Sequence, residues 1–203
     1  IQYIEVRVLD LNPFLPVGID AEQIRFLDAF LLHCLLSDGP ACTRVSYNEI
    51  EENLSRIVNR GREPGLTLSR GGQEVAFAEW ADELLQDVGH AAVLLDNIHN
   101  TADYSLANAA QLAKLANPDL TPSARVLREM REARRPFCAY TMGQSAATQA
   151  HFTGMALPEK RLQEMQEASR LSLVRQAEIE AGDTVSFEDY VRQWNLTAES
   201  HKT

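Results

Sequence analysis

The chain has 203 residues, of which 45% are hydrophobic and 24% are charged, a composition typical of a globular protein. Its formal net charge is −10, which argues against nucleic acid and anionic membrane surfaces as partners. The three cysteines, Cys34, Cys42 and Cys138, lie far apart and outside any Cys/His cluster, so the sequence predicts neither a zinc site nor a disulfide framework. We expect a protein of the reducing cytoplasm.

The first ten residues, Ile-Gln-Tyr-Ile-Glu-Val-Arg-Val-Leu-Asp, predict a β-strand over 3–10. β-Branched and aromatic residues dominate, and apolar and polar side chains alternate. Because successive side chains of a strand point to opposite faces, Glu5 and Arg7 are expected on one face, roughly 6–7 Å apart. Asp10, Asn12 and Pro13 then end the strand and turn the chain.

The face that carries Glu5 and Arg7 has two interpretations. A carboxylate is an oxygen ligand that suits Mg²⁺, above all where the metal also holds substrate phosphates. A guanidinium binds phosphate oxygens through two parallel hydrogen bonds. The other interpretation is a solvated strand face with a salt bridge, which is common on antiparallel strands. Spacing alone favours the solvated face.

Asp20 and Gln23 predict the start of a helix that continues to about Ser37, with Asp20 as its N-cap. Apolar residues cover most of the circumference of this helix, which predicts burial on several sides, behind the sheet. From their usual burial, His33 and Cys34 are expected to be core residues rather than metal ligands.

A second helix, a loop and a hairpin are predicted next. The helix covers 47–59, with Ile50, Leu54, Ile57 and Val58 on one face. Arg60 and Arg62 beside the loop 61–65 are either solvated or contacts to an anion. Gly71-Gly72 between two short β-like runs predicts a peripheral hairpin over 66–77. The glycine patterns of Rossmann and P-loop proteins are absent, so nucleotide binding by those routes is excluded.

Helical periodicity continues through the rest of the chain. It predicts helices over 77–100, 105–116, 121–133, parts of 136–154, 158–181 and a short segment after Ser186. Thr121 followed by Pro122, and Ser186 with Asp189, are N-cap signals. The long helix over 77–100 is expected to face inward with Trp80, Leu84, Leu85, Val88, Ala92, Leu95 and Ile98.

Other polar and charged groups of this half have plain interpretations. His90 and His99 lie nine residues apart, do not share a metal-binding face and are expected at the surface. The charge run 131–135 is typical of a solvated helix end, with phosphate binding as the weaker alternative. The helix over 158–181 is interpreted as a surface helix or a coiled-coil arm whose apolar stripe is Leu162, Met165, Leu171, Val174 and Ala177.

Six blocks within about the first 130 residues form a distinctive series: Tyr3–Phe14, Pro16–Asp20, Gln23–Asp28, Ala41–Val45, Gly61–Leu68 and Asn117–Arg125. In kind and order they resemble the C-terminal part of the bacterial type of glutamate–cysteine ligase. A fainter resemblance, Glu-x-Arg followed by Asp-x-Asn-Pro-Phe, extends to glutamine synthetase. The chain after residue 131 is helical and carries no distinctive motif of the family.

The resemblance implies an α+β fold. A mostly helical segment would carry one strand that completes a glutamine-synthetase-like antiparallel catalytic sheet, together with a small peripheral hairpin. Residues 1–130 would be the C-terminal part of the catalytic domain, and residues 131–203 a helical C-terminal region. The strand over 3–10 would pair with strands of the N-terminal portion of the enzyme, in the same or in a separate chain, because a lone strand is not stable in water.

The resemblance also implies a function: ATP-dependent joining of the γ-carboxyl of L-glutamate to L-cysteine through γ-glutamyl phosphate, the first step of glutathione synthesis. Glu5 matches the family as a Mg²⁺ ligand, and Arg7 as a catalytic contact to the phosphate of ATP. The remaining metal ligands and the cysteine-selecting residues would lie in the N-terminal portion. The alternatives are a non-catalytic helical support or interaction module, and a ligase with another amine acceptor, which the blocks around Cys42 and at Gly61–Leu68 disfavour.

Overall fold

Eight α-helices, a short 3-10 turn and one β-hairpin form the described part of the chain. The computed structural model describes residues 3, 5–6, 9–39 and 41–200, with side chains up to residue 196. The elements are α1 (Ala21–Leu36), α2 (Arg44–Arg60), β1 (Thr67–Arg70), β2 (Gln73–Ala76), α3 (Phe77–His99), α4 (Asp103–Ala116), the 3-10 turn Pro118–Leu120, α5 (Pro122–Ala133), α6 (Phe137–Thr153), α7 (Glu159–Gly182) and α8 (Phe187–Ser200). This mostly helical chain with a small antiparallel sheet confirms the predicted fold class.

Contacts divide the chain into two compact units, Ile1–His151 and Phe152–Thr203. The predicted division at residue 130 follows the extent of the family resemblance rather than contacts, and it stays a prediction. Within the described residues, every helix is too short or too polar to cross a membrane.

Cap residues set the helix starts that the sequence predicted. The Asp20 carboxylate accepts a hydrogen bond from the N–H of Gln23 (2.9 Å), and Thr121 Oγ1 accepts one from the N–H of Ala124 (3.3 Å). Ser186 caps α8 in the same way. Helix α2 begins at Arg44, three residues earlier than predicted, because Thr43 is its N-cap and forms a capping box with Ser46.

Helices α1, α3 and α4 pack on one another and hold the core of the first unit. Ala29, Val88 and Ala92 are fully buried, and small side chains at these positions let the helices approach closely. Larger apolar side chains pack around them: Phe26, Phe30, Leu84, Leu95 and Tyr104. At the edge of this layer, Arg25 of α1 forms a 2.9 Å ion pair with Asp103 of α4.

Asp96 is a buried acid on the inward side of α3, only 8% exposed, and the sequence interpretation missed it. Its carboxylate accepts hydrogen bonds from the backbone N–H groups of Tyr104 (2.9 Å) and Ser105 (3.0 Å). These are the second and third residues of α4, whose own N-cap position, Ala102, has no side chain that can accept a hydrogen bond. Asp96 therefore caps α4 from the neighbouring helix.

The hairpin pairs β1 with β2 in an antiparallel register from Thr67 opposite Ala76 to Arg70 opposite Gln73. Gly71 and Gly72 both have positive φ, +63° and +80°, which a tight two-residue hairpin turn of type I′ requires. The predicted hairpin over 66–77 is confirmed.

Helix α2 closes the free edge of β1 with polar side chains. Asn53 donates to the backbone oxygen of Ser69 (2.6 Å) and accepts from its N–H (2.9 Å), so its amide takes the place of a neighbouring strand. Glu49 accepts hydrogen bonds from Ser69 Oγ and from the N–H of Gly72. Arg56 bridges Glu52 on its own helix and Glu74 on β2. Since the polar side of α2 faces the hairpin, its apolar side faces outward.

The strand predicted over 3–10 lies partly outside the described residues. Those of its residues that are described belong to no strand, and their side chains are exposed. The described sheet consists of β1 and β2, so an extended segment at the start of the chain has no pairing partner within the described residues. Completion of a catalytic sheet by this segment stays a prediction.

Three expectations about burial are wrong. Cys34 is exposed and His33 is half-buried, because α1 is covered on the α3–α4 side and leaves Leu35 and Leu36 exposed. Ile98 is 65% exposed at the margin of α3, and Asp96 occupies the inward position there.

The stripe proposed for α7 is also wrong. Its five apolar residues are spaced in multiples of three, and at about 100° per residue each step of three falls 60° short of a full turn. They therefore spread around the whole helix. These five residues therefore do not form the seam that a coiled coil requires. Every residue of α7 is exposed, as expected of a surface helix.

Candidate functional site

The two residues predicted to carry the chemistry, Glu5 and Arg7, lie in the first segment of the chain. Glu5 is an exposed residue. Arg7 lies outside the described residues. The structure therefore does not test whether the two side chains share a face, and their roles stay predictions.

A tight loop follows this segment and joins it to α1. The Asn12 N–H donates to the oxygen of Gly18 (2.8 Å) and closes the loop. Asn12 Oδ1 accepts a hydrogen bond from the N–H of Phe14 (3.0 Å). Gly18 has φ +76°, and a Cβ there would lie 2.7 Å from the Leu11 side chain. The positive φ favours glycine at this position, whereas the exposed Leu11 side chain could move to relieve the contact.

Arg125 on α5 holds this loop against the body of the unit. Its guanidinium carbon lies 3.6 Å from the centre of the Phe14 ring, a cation–π contact. Its Nε donates to one oxygen of Glu129 (2.7 Å), and Tyr140 on α6 donates its hydroxyl to the other (2.8 Å). The loop, α5 and α6 are thereby tied together by one polar cluster.

The pKa values within this cluster reflect its hydrogen bonds. The Arg125 guanidinium and the Tyr140 hydroxyl hold the pKa of the Glu129 carboxyl below its usual value. Burial, and then the hydrogen bond to Glu129, raise the pKa of Tyr140 above its usual value. Tyr140 is 6% exposed and therefore stays a neutral donor to an ionised Glu129 at neutral pH. The cluster is a fixed anchor rather than an acid–base pair.

The Arg125–Phe14 contact was missed because its partners are about 110 residues apart, and no local pattern joins them. One signal was available. Phe14 ends the first of the six distinctive blocks, and Arg125 ends the last. The structure brings the ends of these two blocks into direct contact, which places α5 beside the loop that leads from Glu5 and Arg7.

The two other candidate anion sites differ in what the structure shows. Arg60 donates to both oxygens of Glu63 (2.7 and 2.8 Å), which raises the pKa of Arg60 and commits its guanidinium to an ion pair. Arg62 is exposed, as the solvated interpretation expects. Residues 131–135 are exposed as well, and Arg135 lines a shallow cleft between α5 and α6 together with Tyr140 and Gln144.

A complete metal centre is absent from the part of the chain that the structure describes: no three His, Cys, Asp or Glu residues there are placed to hold one ion. Mg²⁺ is commonly held by one or two carboxylates together with substrate phosphates and water. A single exposed carboxylate such as Glu5 fits that kind of shared site.

Comparison with known proteins identifies what the chain is similar to. A family model described as glutamate–cysteine ligase matches residues 1–57. The glutamate–cysteine ligase of Azotobacter vinelandii is 43% identical over 197 residues, which is 97% of this chain and 37% of that protein. The ligase of Pseudomonas fluorescens strain Pf0-1 is 44% identical over the same shares. That of Bordetella parapertussis is 42% identical over 196 residues.

The fold is shared with a solved structure as well. The crystal structure of glutamate–cysteine ligase from Francisella tularensis in complex with AMP superposes with a TM-score of 0.85 at 24% identity, covering 96% of this chain and 38% of that chain. The predicted resemblance to bacterial glutamate–cysteine ligases is thus confirmed over almost the whole chain. The chain spans a little over a third of the length of these relatives.

Proposed function

We propose that this chain is a C-terminal part of a glutamate–cysteine ligase that joins the γ-carboxyl of L-glutamate to the amine of L-cysteine at the expense of ATP. The observation that carries the proposal is the 43% identity to the Azotobacter vinelandii ligase across 97% of this chain. In this proposal residues 1–130 belong to the catalytic domain and residues 131–203 form a helical C-terminal region. The enzyme is cytoplasmic and supplies γ-glutamylcysteine for glutathione synthesis.

The cofactors of the proposed reaction are ATP and Mg²⁺. The AMP complex of the Francisella tularensis ligase supports nucleotide binding in an enzyme of this fold. A γ-carboxylate oxygen of glutamate attacks the γ-phosphorus of ATP and displaces ADP, which gives γ-glutamyl phosphate; the amine of L-cysteine then displaces the phosphate. The first step brings two anionic reactants together. Bound Mg²⁺ would neutralise part of that charge.

Glu5 and Arg7 have separate roles in this proposal. Glu5 contributes one carboxylate oxygen toward Mg²⁺, and Arg7 contacts the phosphoryl group as it is transferred. The other metal ligands and the cysteine-selecting residues belong to the N-terminal portion of the ligase. The exposure of Glu5 supports a site shared between the two portions. The loop 12–18 and Arg125 hold the end of this segment in place.

The test is Mg²⁺- and ATP-dependent formation of γ-glutamylcysteine by this chain alone and in the presence of the N-terminal portion of a ligase. Product that forms only when both portions are present supports the proposal. Product from this chain alone would show that the complete site is here. No product from two folded portions would favour the support-module alternative.

The reconstituted enzyme also tests Glu5. Glu5→Gln removes a negative charge at nearly constant size, so we expect a higher Mg²⁺ requirement and at least a 10- to 100-fold loss of activity, the loss typical even of outer contacts to a metal. Glu22→Gln, at an exposed position on α1, is the matched control. Wild-type Mg²⁺ dependence in Glu5→Gln would remove Glu5 from the metal site.

A further inference from the structure

Helix α2 exposes a regular apolar stripe. We define the α2 stripe as Tyr47, Ile50, Leu54 and Val58, which are 55%, 57%, 42% and 72% exposed. Their spacing of three, four and four residues places them on one side of the helix, over about three turns. An amphipathic helix normally buries such a side. Here the hairpin is bound by the opposite, polar side.

The hairpin contacts fix the direction of the stripe. Asn53, Glu49 and Arg56 are all committed to β1, β2 or the turn between them by hydrogen bonds of 2.5 to 2.9 Å. At 100° per residue, these side chains lie about 105° to 165° around the helix from the centre of the stripe. Rotating α2 to bury the stripe on the hairpin would break this whole network. The stripe is therefore held outward and pre-organised for a partner.

We infer that the α2 stripe is a docking surface for the part of the ligase that this chain does not span. This inference rests on the proposed function and names the surface through which the two portions join. Two observations favour this occupant. The matched span is 37% of the Azotobacter vinelandii ligase, and the same fold makes up 38% of the Francisella tularensis ligase chain, so each relative contains a larger portion beside it. The family model, which matches residues 1–57, includes Tyr47, Ile50 and Leu54 of the stripe.

The chemistry of the partner follows from that of the stripe. Its side chains are aliphatic and aromatic and project in an i, i+3, i+7, i+11 pattern, so the complementary surface is an apolar groove along about three helical turns. Such grooves are anchored by a few central side chains. Ile50 and Leu54 hold the centre of the stripe.

The experiment co-expresses this chain with a separate polypeptide made of the portion of the Azotobacter vinelandii ligase that lies outside the matched span. Ile50→Glu combined with Leu54→Glu places two charges at the centre of the stripe. The matched control is Val45→Glu, on the same helix and 79% exposed, but near the hairpin side. Because all three side chains contact solvent, the far-UV circular dichroism and melting temperature should stay at wild-type values.

We expect the wild type and Val45→Glu to co-purify with the ligase portion, and the double variant to bind at least about 30-fold more weakly, since two apolar anchors are lost. Equal binding by the double variant would overturn the inference, as would failure of the wild type to bind. If the wild type forms a homodimer and the double variant is a monomer, the partner of the stripe is a second copy of this chain instead.

Product formation separates this inference from the proposed function. A complex that depends on the stripe but makes no γ-glutamylcysteine would retain the docking surface and refute the proposed function. Product formed equally well by the wild type and the double variant would retain the function and refute the docking surface.

Discussion

The capping of α4 by Asp96 gives a prediction whose size and pH dependence follow from the structure. Asp96→Ala removes the acceptor of two backbone N–H groups, those of Tyr104 and Ser105, at a position only 8% exposed. The unfolded chain satisfies these N–H groups with water, whereas the folded variant leaves them without an acceptor. The substitution should therefore destabilise the first unit.

The magnitude follows from the two hydrogen bonds. A hydrogen bond to a charged group contributes roughly 1.5–3 kcal/mol, and replacing an N-cap by alanine costs about 0.5–2 kcal/mol. The two bonds share one carboxylate, so we expect a loss of about 2–4 kcal/mol for Asp96→Ala. Asp96→Asn should lose somewhat less, because its single oxygen still accepts one bond while its NH₂ group opposes the other N–H.

The contribution of Asp96 should disappear in acid. Burial alone would raise the pKa of Asp96, but hydrogen bonds from Ser105 and Tyr104 outweigh it and hold the pKa below its usual value. A carboxyl with a lowered folded-state pKa stabilises the fold fully above its unfolded pKa of about 4 and loses that contribution as pH falls through the folded-state pKa. The difference between wild type and Asp96→Asn should therefore shrink below about pH 4.

Urea unfolding followed by the fluorescence of Trp80, which lies on α3, measures this difference. Replacing Trp194 by phenylalanine in every variant confines the signal to the first unit. Asp87→Asn, exposed on the same helix, is the control and should stay within about 0.5 kcal/mol of wild type. The capping argument fails if Asp96→Ala costs less than about 1 kcal/mol, or if the gap for Asp96→Asn is unchanged from pH 7 to pH 3.

Two further contacts give separate predictions. Asn53→Ala removes the hydrogen-bond partner of both backbone groups of Ser69 and should destabilise the hairpin by about 1–3 kcal/mol in urea unfolding. Asn48→Ala on the same helix is the control and should be near neutral. Equal effects of the two substitutions would show that Asn53 does not close the edge of β1. Arg125→Ala loses the contact to Phe14 and should speed hydrogen exchange of the loop amides about two- to fivefold. Unchanged exchange would show that the loop holds its own shape.

Local chemistry determined what the sequence could predict. Asp20 and Thr121 each cap a helix within three residues of themselves, and Gly71-Gly72 specifies a turn in two residues, so each signal is complete within a short window. Whether a side chain is buried depends on whether another part of the molecule packs against it. Cys34 and the α2 stripe are apolar and regularly placed, yet both are exposed, because coverage is a property of partners and not of the pattern.

Long-range polar contacts could not be predicted from the sequence for a different reason. The Arg125–Phe14 contact joins elements about 110 residues apart, and its formation depends on how α5 packs rather than on the residues beside it. Asp96 could have been noticed as an acid on an apolar face. To predict that Asp96 caps the start of α4, one would also have had to know the path of the turn between α3 and α4, in which Asn100 adopts a left-handed conformation with φ +51°.

The direct junction between β2 and α3 has a consequence for how this chain tolerates changes in length. The hairpin ends at Ala76 and the helix begins at Phe77, whose N–H donates to the oxygen of Leu66. With no intervening linker, inserting a single residue at the junction would turn the 23-residue helix by about 100° about its axis and advance it by about 1.5 Å. Val88, Ala92 and Asp96 would then all leave their partners together. We therefore expect a change in length to be tolerated in the loops but not at this junction, where the position of the hairpin sets the register of α3 within the helical layer.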